Sequence, residues 1–193
     1  MKPKIGIIGN GNVGSALKRG LERAGYSVRN VGKDPNGVRE TAAWGEVVIL
    51  AVPFDAVDDS LREMGESVNG KTLLDVTNAI TPDYQLALGC TTSGAEEIQK
   101  KAPGAKVIKS FNTAFAGHMD TGRVKNEPIS LFVAGDEGES KATVLQMGRD
   151  IGFDAVDAGP LQNARWLETL GYFHIQLGYM LKMGTDVEFK LIR

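Results

Sequence analysis

The chain has 193 residues, a formal net charge of -2, and apolar and charged fractions of 42% and 24%. These values fit one soluble domain, or one domain with a small appended lobe, able to bury a core without staples. No run of Lys or Arg exceeds Lys100-Lys101, so no basic face for nucleic acid is expected. The longest apolar run, VVILAVPF, is too short to span a bilayer, and the start, MKPKIGIIGNGN, lacks a continuous signal-peptide core. Cys90 is the single cysteine. It excludes an internal disulfide and a cysteine-based zinc site; a cytoplasmic protein with no metal and no membrane partner is expected.

In chain order, KIGIIG (4–9) reads as a buried strand and 12–25 as a helix. Val13, Ala16, Leu17, Leu21 and Ala24 share one face of that helix, and Gly25 suits its C-terminus. Residues 27–31 form a second predicted strand and 36–45 a short helix. EVVILAV (46–52) is apolar on both faces, as a central parallel strand must be. A helix over 55–65, a strand over 71–77, a helix over 93–102 and a strand over 105–111 follow. Ser93 and Glu96 stand at capping-box spacing. This alternation predicts an α/β fold with a Rossmann-type doubly wound, mostly parallel sheet. The remainder predicts a small C-terminal α+β lobe: strand 128–135, helix 138–152, strand 153–158, one long helix from Pro160 to about Met183, and a closing strand, DVEFKLIR. The polar stretch 116–127 marks a boundary between a dinucleotide-binding domain (1–120) and this lobe (121–193).

Two stretches match phosphate-loop patterns. GESVNGKT (65–72) fits G-x-x-x-x-G-K-[ST], and GNGNVG (9–14) fits G-x-G-x-x-G. A phosphate loop needs a strand before it and a helix after it, so that backbone N–H groups and the helix N-terminus face the anion. GESVNGKT has the reverse context and reads as a helix-to-strand connection that binds no phosphate. GNGNVG has the required one. Gly9 allows the tight turn, Gly11 the approach of a pyrophosphate, and Gly14 close helix–strand packing, with Asn10, Asn12 and Val13 between them. At the end of the second strand an acidic residue would favour NAD. Here the position holds Val31 and Gly32. Gly32 leaves room, and Lys33 can meet a 2′-phosphate as a point charge. Arg29 or Arg39 could assist, whereas Asp34 turned inward would favour a ribose diol. The reading favours NADP(H).

GNGNVG, VILAVPFDAV, LLDVTNAI, VIKSFNTAFAG, LFVAGDEGESKATV, GFDAVDAGPLQNARWLE and GTDVEFKLIR occur in this order along nearly the whole chain. Together they resemble NADPH-dependent coenzyme F420 reductases and the small dinucleotide-binding oxidoreductases around them. The resemblance implies a Rossmann domain with a small C-terminal lobe and an acceptor in the cleft between them. It implies hydride transfer between NADP(H) and a deazaflavin, coenzyme F420, or a related flavin. Such chemistry needs little acid–base help, in keeping with the absence of an obvious catalytic dyad. By the same resemblance Val52, Pro53 and Phe54 lie over the pyrophosphate and nicotinamide ribose. Asn78 and Asn112, after the fourth and fifth strands, stand where their amides could bind ribose or carboxamide; as turn residues they are equally at home. Relatives often carry Ser-Arg where this chain has Gly32-Lys33, which implies a weaker phosphate grip. Two alternatives remain open: reduction of a small imine, a carbonyl, or flavin and ferric complexes, and a regulatory module that binds NADP(H) without turnover.

His118 reads as a surface residue at a cleft edge, His174 as a packed helix residue, Lys182 as solvated and Cys90 as inert. The last helix is apolar around much of its circumference, which a small lobe cannot cover. A homodimer interface is expected there, with Gly171 and Gly178 permitting close helix approach.

Overall fold

The computed structural model describes residues 1–193. The elements are β1 (Ile5–Ile8), α1 (Asn12–Arg23), β2 (Val28–Val31), α2 (Pro35–Trp44), β3 (Val47–Leu50), α3 (Val57–Met64), β4 (Thr72–Asp75), α4 (Gly94–Lys101) and β5 (Lys106–Lys109). They continue as β6 (Arg123–Val124), β7 (Glu127–Pro128), β8 (Ser130–Gly135), α5 (Gly138–Ile151), β9 (Asp154–Asp157) and α6 (Ala164–Ile175). Seven strands form one sheet in the order β2-β1-β3-β4-β5-β8-β9. All neighbours are parallel except β5 and β8. The fold is thus Rossmann-like, as expected, and the two strands beyond the polar stretch extend the same sheet.

β1, β3 and β4 are buried at every position, because helices cover both faces. The pleat sorts their side chains. Ile5 and Ile7 pair in register with Val47 and Ile49 and join Leu17, Leu21, Val144 and Met147 in one core, under α1 and α5. Ile8, Val48 and Leu50 point the other way, to Val38, Ala42, Val57 and Ile98 of α2, α3 and α4. Helix α1 ends in a Schellman motif: Tyr26 N–H donates to Leu21 O at 3.0 Å and Gly25 N–H to Glu22 O at 2.9 Å. Gly25 adopts φ 83°, the left-handed conformation this cap requires. Pro35 opens α2, where its missing N–H costs nothing.

The C-terminal third departs from expectation. The single long helix is divided into a 3-10 turn (Leu161–Asn163), α6, and one π-turn (Gln176–Met180). It stops where Lys182 and Gly184 adopt φ 56° and 81°. The closing strand does not form. Residues 186–193 pass the start of β8 without regular secondary structure, held by Ser130 N–H to Phe189 O (3.2 Å) and Leu191 N–H to Ser130 Oγ (2.8 Å). The polar stretch 116–127 contributes to a small hairpin, β6–β7, turned by Lys125 and Asn126 at φ 48° and 67°. Two consecutive positive φ values build the type I′ turn that matches strand twist.

A buried ion cluster ties α6 to the sheet. Lys109, on β5, has no exposed surface; its Nζ lies 2.8 Å from Asp75 Oδ2 on β4 and 2.9 Å from Glu168 Oε1 on α6. It also donates to Thr77 O at 2.6 Å. Glu168 in turn accepts from Gly94 and Ala95 N–H, at 2.9 and 3.2 Å, at the start of α4. Burial alone would lower the Lys109 pKa, but the two carboxylates outweigh it and raise the value above the usual lysine range. A second buried contact fixes the C-terminal segment. Glu188 Oε1 accepts from Phe115 N–H at 2.9 Å, and its Oε2 has no hydrogen-bond partner, 3.5 Å from His174 Nε2. Burial pushes the Glu188 carboxyl up to about 8 and holds His174 below its ordinary value.

Removing the cation should leave two carboxylates buried without it. Lys109→Met is expected to destabilise the fold by about 3–5 kcal/mol, read as a lower urea midpoint with an unchanged m-value.

Candidate functional site

Strand order reverses between β1 and β3: β2 lies beyond β1 on one side and β4 beyond β3 on the other. The helices after these two strands therefore leave on opposite faces, and a crevice opens at the carboxyl ends of β1 and β3. The loop 9–14 occupies that crevice.

Its three glycines do different work. Gly9 leaves β1 at φ 113°, and a Cβ there would lie 2.0 Å from Ala51 O on the exit of β3. A Cβ on Gly14 would lie 1.9 Å from Gly9 O. Both are required by the protein's own packing. Gly11 is not: its backbone is extended (φ -71°, ψ -165°) and a Cβ would meet nothing within 4 Å. No side chain caps α1 and no acidic residue stands in its first turn, so its first N–H groups have no side-chain acceptor, an arrangement that suits an anion. Two side chains brace the loop. Asn30 Nδ2 donates to Gly9 O at 2.7 Å and Ser15 Oγ to Asn10 O at 3.0 Å.

A cleft of about 470 Å³ lies against this loop. It brings together Gly9, Asn10, Gly11, Gly32, Lys33, Val52 and Pro53 from the sequence expectation. The space Gly32 leaves is taken by Asn10, whose Nδ2 would stand 2.6 Å from a Cβ. Of the other residues weighed at the β2 end, none lines the cleft. Arg29 stacks on Trp44 at 4.4 Å, Arg39 Nε reaches Glu63 O at 3.5 Å, and the Asp34 carboxylate faces Gly37 of its own helix. Sequence reading missed Pro35 and Val38 on α2, Ala56 just before α3, and Asp59, Ser60 and Glu63 along it. The i, i+3, i+4, i+7 spacing of these last four was the available signal.

The remaining expected residues lie apart from this cleft. Asn12 faces a separate hollow of about 370 Å³ with Arg19, Phe115 and Tyr179. Val13 packs on the core beneath α1, and Phe54 faces a hollow against α4. Asn78 and Asn112 bond to one another. Asn112 Nδ2 donates to Asn78 Oδ1 (2.9 Å) and Leu167 O (2.8 Å), and Asn78 Nδ2 to Asn112 O (3.0 Å). A Cβ on Gly171 would stand 2.5 Å from Asn78 Oδ1. This glycine thus lets α6 approach the ends of β4 and β5.

The second phosphate-loop pattern is structural. Gly65 ends α3 at φ 52°, β4 begins at Thr72, and Lys71 Nζ donates to Ala42 O and Ala43 O, each at 2.8 Å. Lys71 closes the C-terminus of α2, where a cation is favoured. His118 bonds Thr185 O at 2.9 Å, His174 is buried, and Cys90 and Lys182 are exposed.

A family model described as NADP oxidoreductase, coenzyme F420-dependent, matches residues 4–44. Metalloreductase STEAP3 of Rattus norvegicus is 32% identical over 181 residues, 87% of this chain and 36% of its own length. The chain thus spans about a third of that relative. The F420-dependent NADP reductase of Methanocaldococcus jannaschii is 24% identical over 91% of this chain and 85% of its own. A solved structure from Arthrobacter sp. FB24, a candidate F420-dependent NADP reductase, superposes with a TM-score of 0.90 at 28% identity, covering 99% of this chain and 100% of that one. The family resemblance read from the sequence is borne out. No helix is long and apolar enough to cross a membrane.

The glycine geometry separates packing from ligand space. Gly14→Ala should cost at least about 3 kcal/mol through backbone overlap. Gly11→Ala should stay within about 1 kcal/mol of wild type. Paired urea melts would show it, and equal losses would remove the distinction.

Proposed function

We propose that this chain is an NADP(H)-dependent oxidoreductase that passes a hydride between NADP(H) and a deazaflavin of the coenzyme F420 type. The observation that carries the dinucleotide part is Gly11. It is a glycine that neither backbone conformation nor packing demands, beside an uncapped helix N-terminus at the switch point of the sheet. When bound, the two cofactors supply the redox chemistry. The chain's own residues bind and orient. The amides from Asn10 to Gly14 and the α1 N-terminus take the pyrophosphate, Gly9 N–H being held by Val31 O. Lys33 meets the 2′-phosphate, and Val52 and Pro53 form the wall after β3, with Phe54 turned to the hollow against α4. Asn78 and Asn112 hold the ends of β4 and β5 against α6 and so set the far side of the site. Residues 1–120 carry the dinucleotide and 121–193 complete the acceptor side.

The deazaflavin is favoured by the likeness over full length to a candidate F420-dependent reductase. A second reading, reduction of flavin or ferric complexes, is favoured by the 32% identity to a metalloreductase. Mixing the protein with NADPH and coenzyme F420, and separately with flavin plus a ferric chelate, decides between them. Bleaching of the deazaflavin band supports the first reading, and ferrous iron without bleaching supports the second. Binding without turnover on either acceptor supports the regulatory alternative. We also propose a homodimer through α6 and the π-turn, where Trp166, Phe173, Met180 and Leu181 are 61%, 50%, 46% and 65% exposed; a monomeric mass at micromolar concentration overturns it.

Lys33 is the only cation lining the cleft. Lys33→Ala should weaken NADPH binding about tenfold and NADH binding much less, measured by nicotinamide fluorescence titration. Equal losses for both would take Lys33 out of the site.

A further inference from the structure

Glu63 lies near the C-terminal end of α3, half-buried, and lines the cleft with Ala56, Asp59 and Ser60. Its carboxylate makes no ion pair or hydrogen bond within the chain. Its neighbours are committed elsewhere: Asp59 pairs with Arg62 at 2.9 Å, and Ser60 Oγ donates to Ala56 O at 2.9 Å. From Ala56 to Glu63 the helix rises about 10 Å, directed away from the exit of β3. Across the cleft stand Pro35 and Val38 of α2, both apolar. The cleft therefore has a phosphate end at Gly9–Gly11 and, between α2 and α3, a slot with apolar Pro35 and Val38 on one wall and, beside Asp59 and Ser60 on the other, one unpaired carboxylate.

On the dinucleotide reading given above, the β2 side of such a crevice takes the adenosine. We infer that Glu63 reads the adenine ring by accepting from its exocyclic amino group, and so makes the site selective for adenine over a base with a carbonyl at that position. An ionised carboxylate only accepts hydrogen bonds. Adenine offers an amino donor there, whereas hypoxanthine presents an oxygen that would meet the carboxylate acceptor to acceptor. A site built to bond a donor rejects the analogue that lacks it.

The test is fluorescence titration of the full chain with NADPH and with its hypoxanthine analogue, for wild type and Glu63→Gln. Wild type should bind NADPH about tenfold more tightly than the analogue. Glu63→Gln can donate or accept through its amide and should bring the two affinities within about twofold. Equal affinities in wild type, or the full ratio persisting in Glu63→Gln, would overturn the role of Glu63 while leaving the NADPH reading intact. Binding of neither dinucleotide by wild type would overturn that reading, and this inference with it.

Discussion

One buried cation organises the C-terminal half of the molecule. Lys109 stands between carboxylates from β4 and α6, and the α6 carboxylate also receives the first two N–H groups of α4. The cluster carries one more negative than positive charge, and the α4 N-terminus offsets part of the excess. Desolvating three charges is costly, and an apolar core of the same volume would serve stability as well or better. What the cluster provides is a direction. Glu168 can meet both Lys109 and the α4 amides only when α6 lies across the ends of β4 and β5. The Asn78–Asn112 pair and Gly171 then fall into contact, and the far wall of the sheet's open end is set.

Along the same carboxyl edge of the sheet, after β1, glycine is used for two unrelated reasons within one loop. Gly9 and Gly14 are small because backbone lies 2.0 and 1.9 Å from where their side chains would be. Gly11 is small although the protein leaves it free space. A loop that folds is thereby distinguished from a loop that also receives something. The same separation disposes of the second phosphate-loop match. There, Lys71 spends its charge on the carbonyls of α2 and has no free N–H groups of a following helix beside it.

The parallel half was legible because period and context agreed: buried four-residue strands, an amphipathic α1, and glycines at a strand-to-helix turn. The ion cluster was not. In KVIKSF, Lys109 falls on the same face as Val107 and Phe111, but nothing along the strand shows the two carboxylates, Asp75 and Glu168, that allow a lysine to be buried there. Glu168 itself sits in a helix whose apolar residues suggested nothing polar inside. The apolar circumference of the last helix did signal unusual surroundings, but it could not reveal the π-turn, since Gln176–Met180 continues the same composition. Asn78 and Asn112 were correctly placed after β4 and β5. Their amide partners depended on the closeness of Gly171, a distance that spacing along the chain does not encode. On the cleft, the loop was readable from its motif, while the α3 stripe needed the sheet to show which face of that helix looked inward.

Glu188 couples this architecture to the proton. A carboxyl raised from its ordinary range to about 8 binds hydrogen ion more tightly in the folded chain than in the unfolded one. Folding at neutral pH therefore takes up a proton at the C-terminal segment. The sign follows: the Glu188 contribution makes the fold less stable as pH climbs from about 4.5 towards 8, by at most about 1.4 kcal/mol per pH unit, and flat beyond. The enthalpy of unfolding should then depend on the ionisation heat of the buffer, and calorimetry in phosphate and in Tris would count that proton. An unchanged enthalpy would mean that Glu188 is already ionised when folded. The C-terminal segment over Phe115 and His174 is on this account held less firmly at pH 8 than at pH 5.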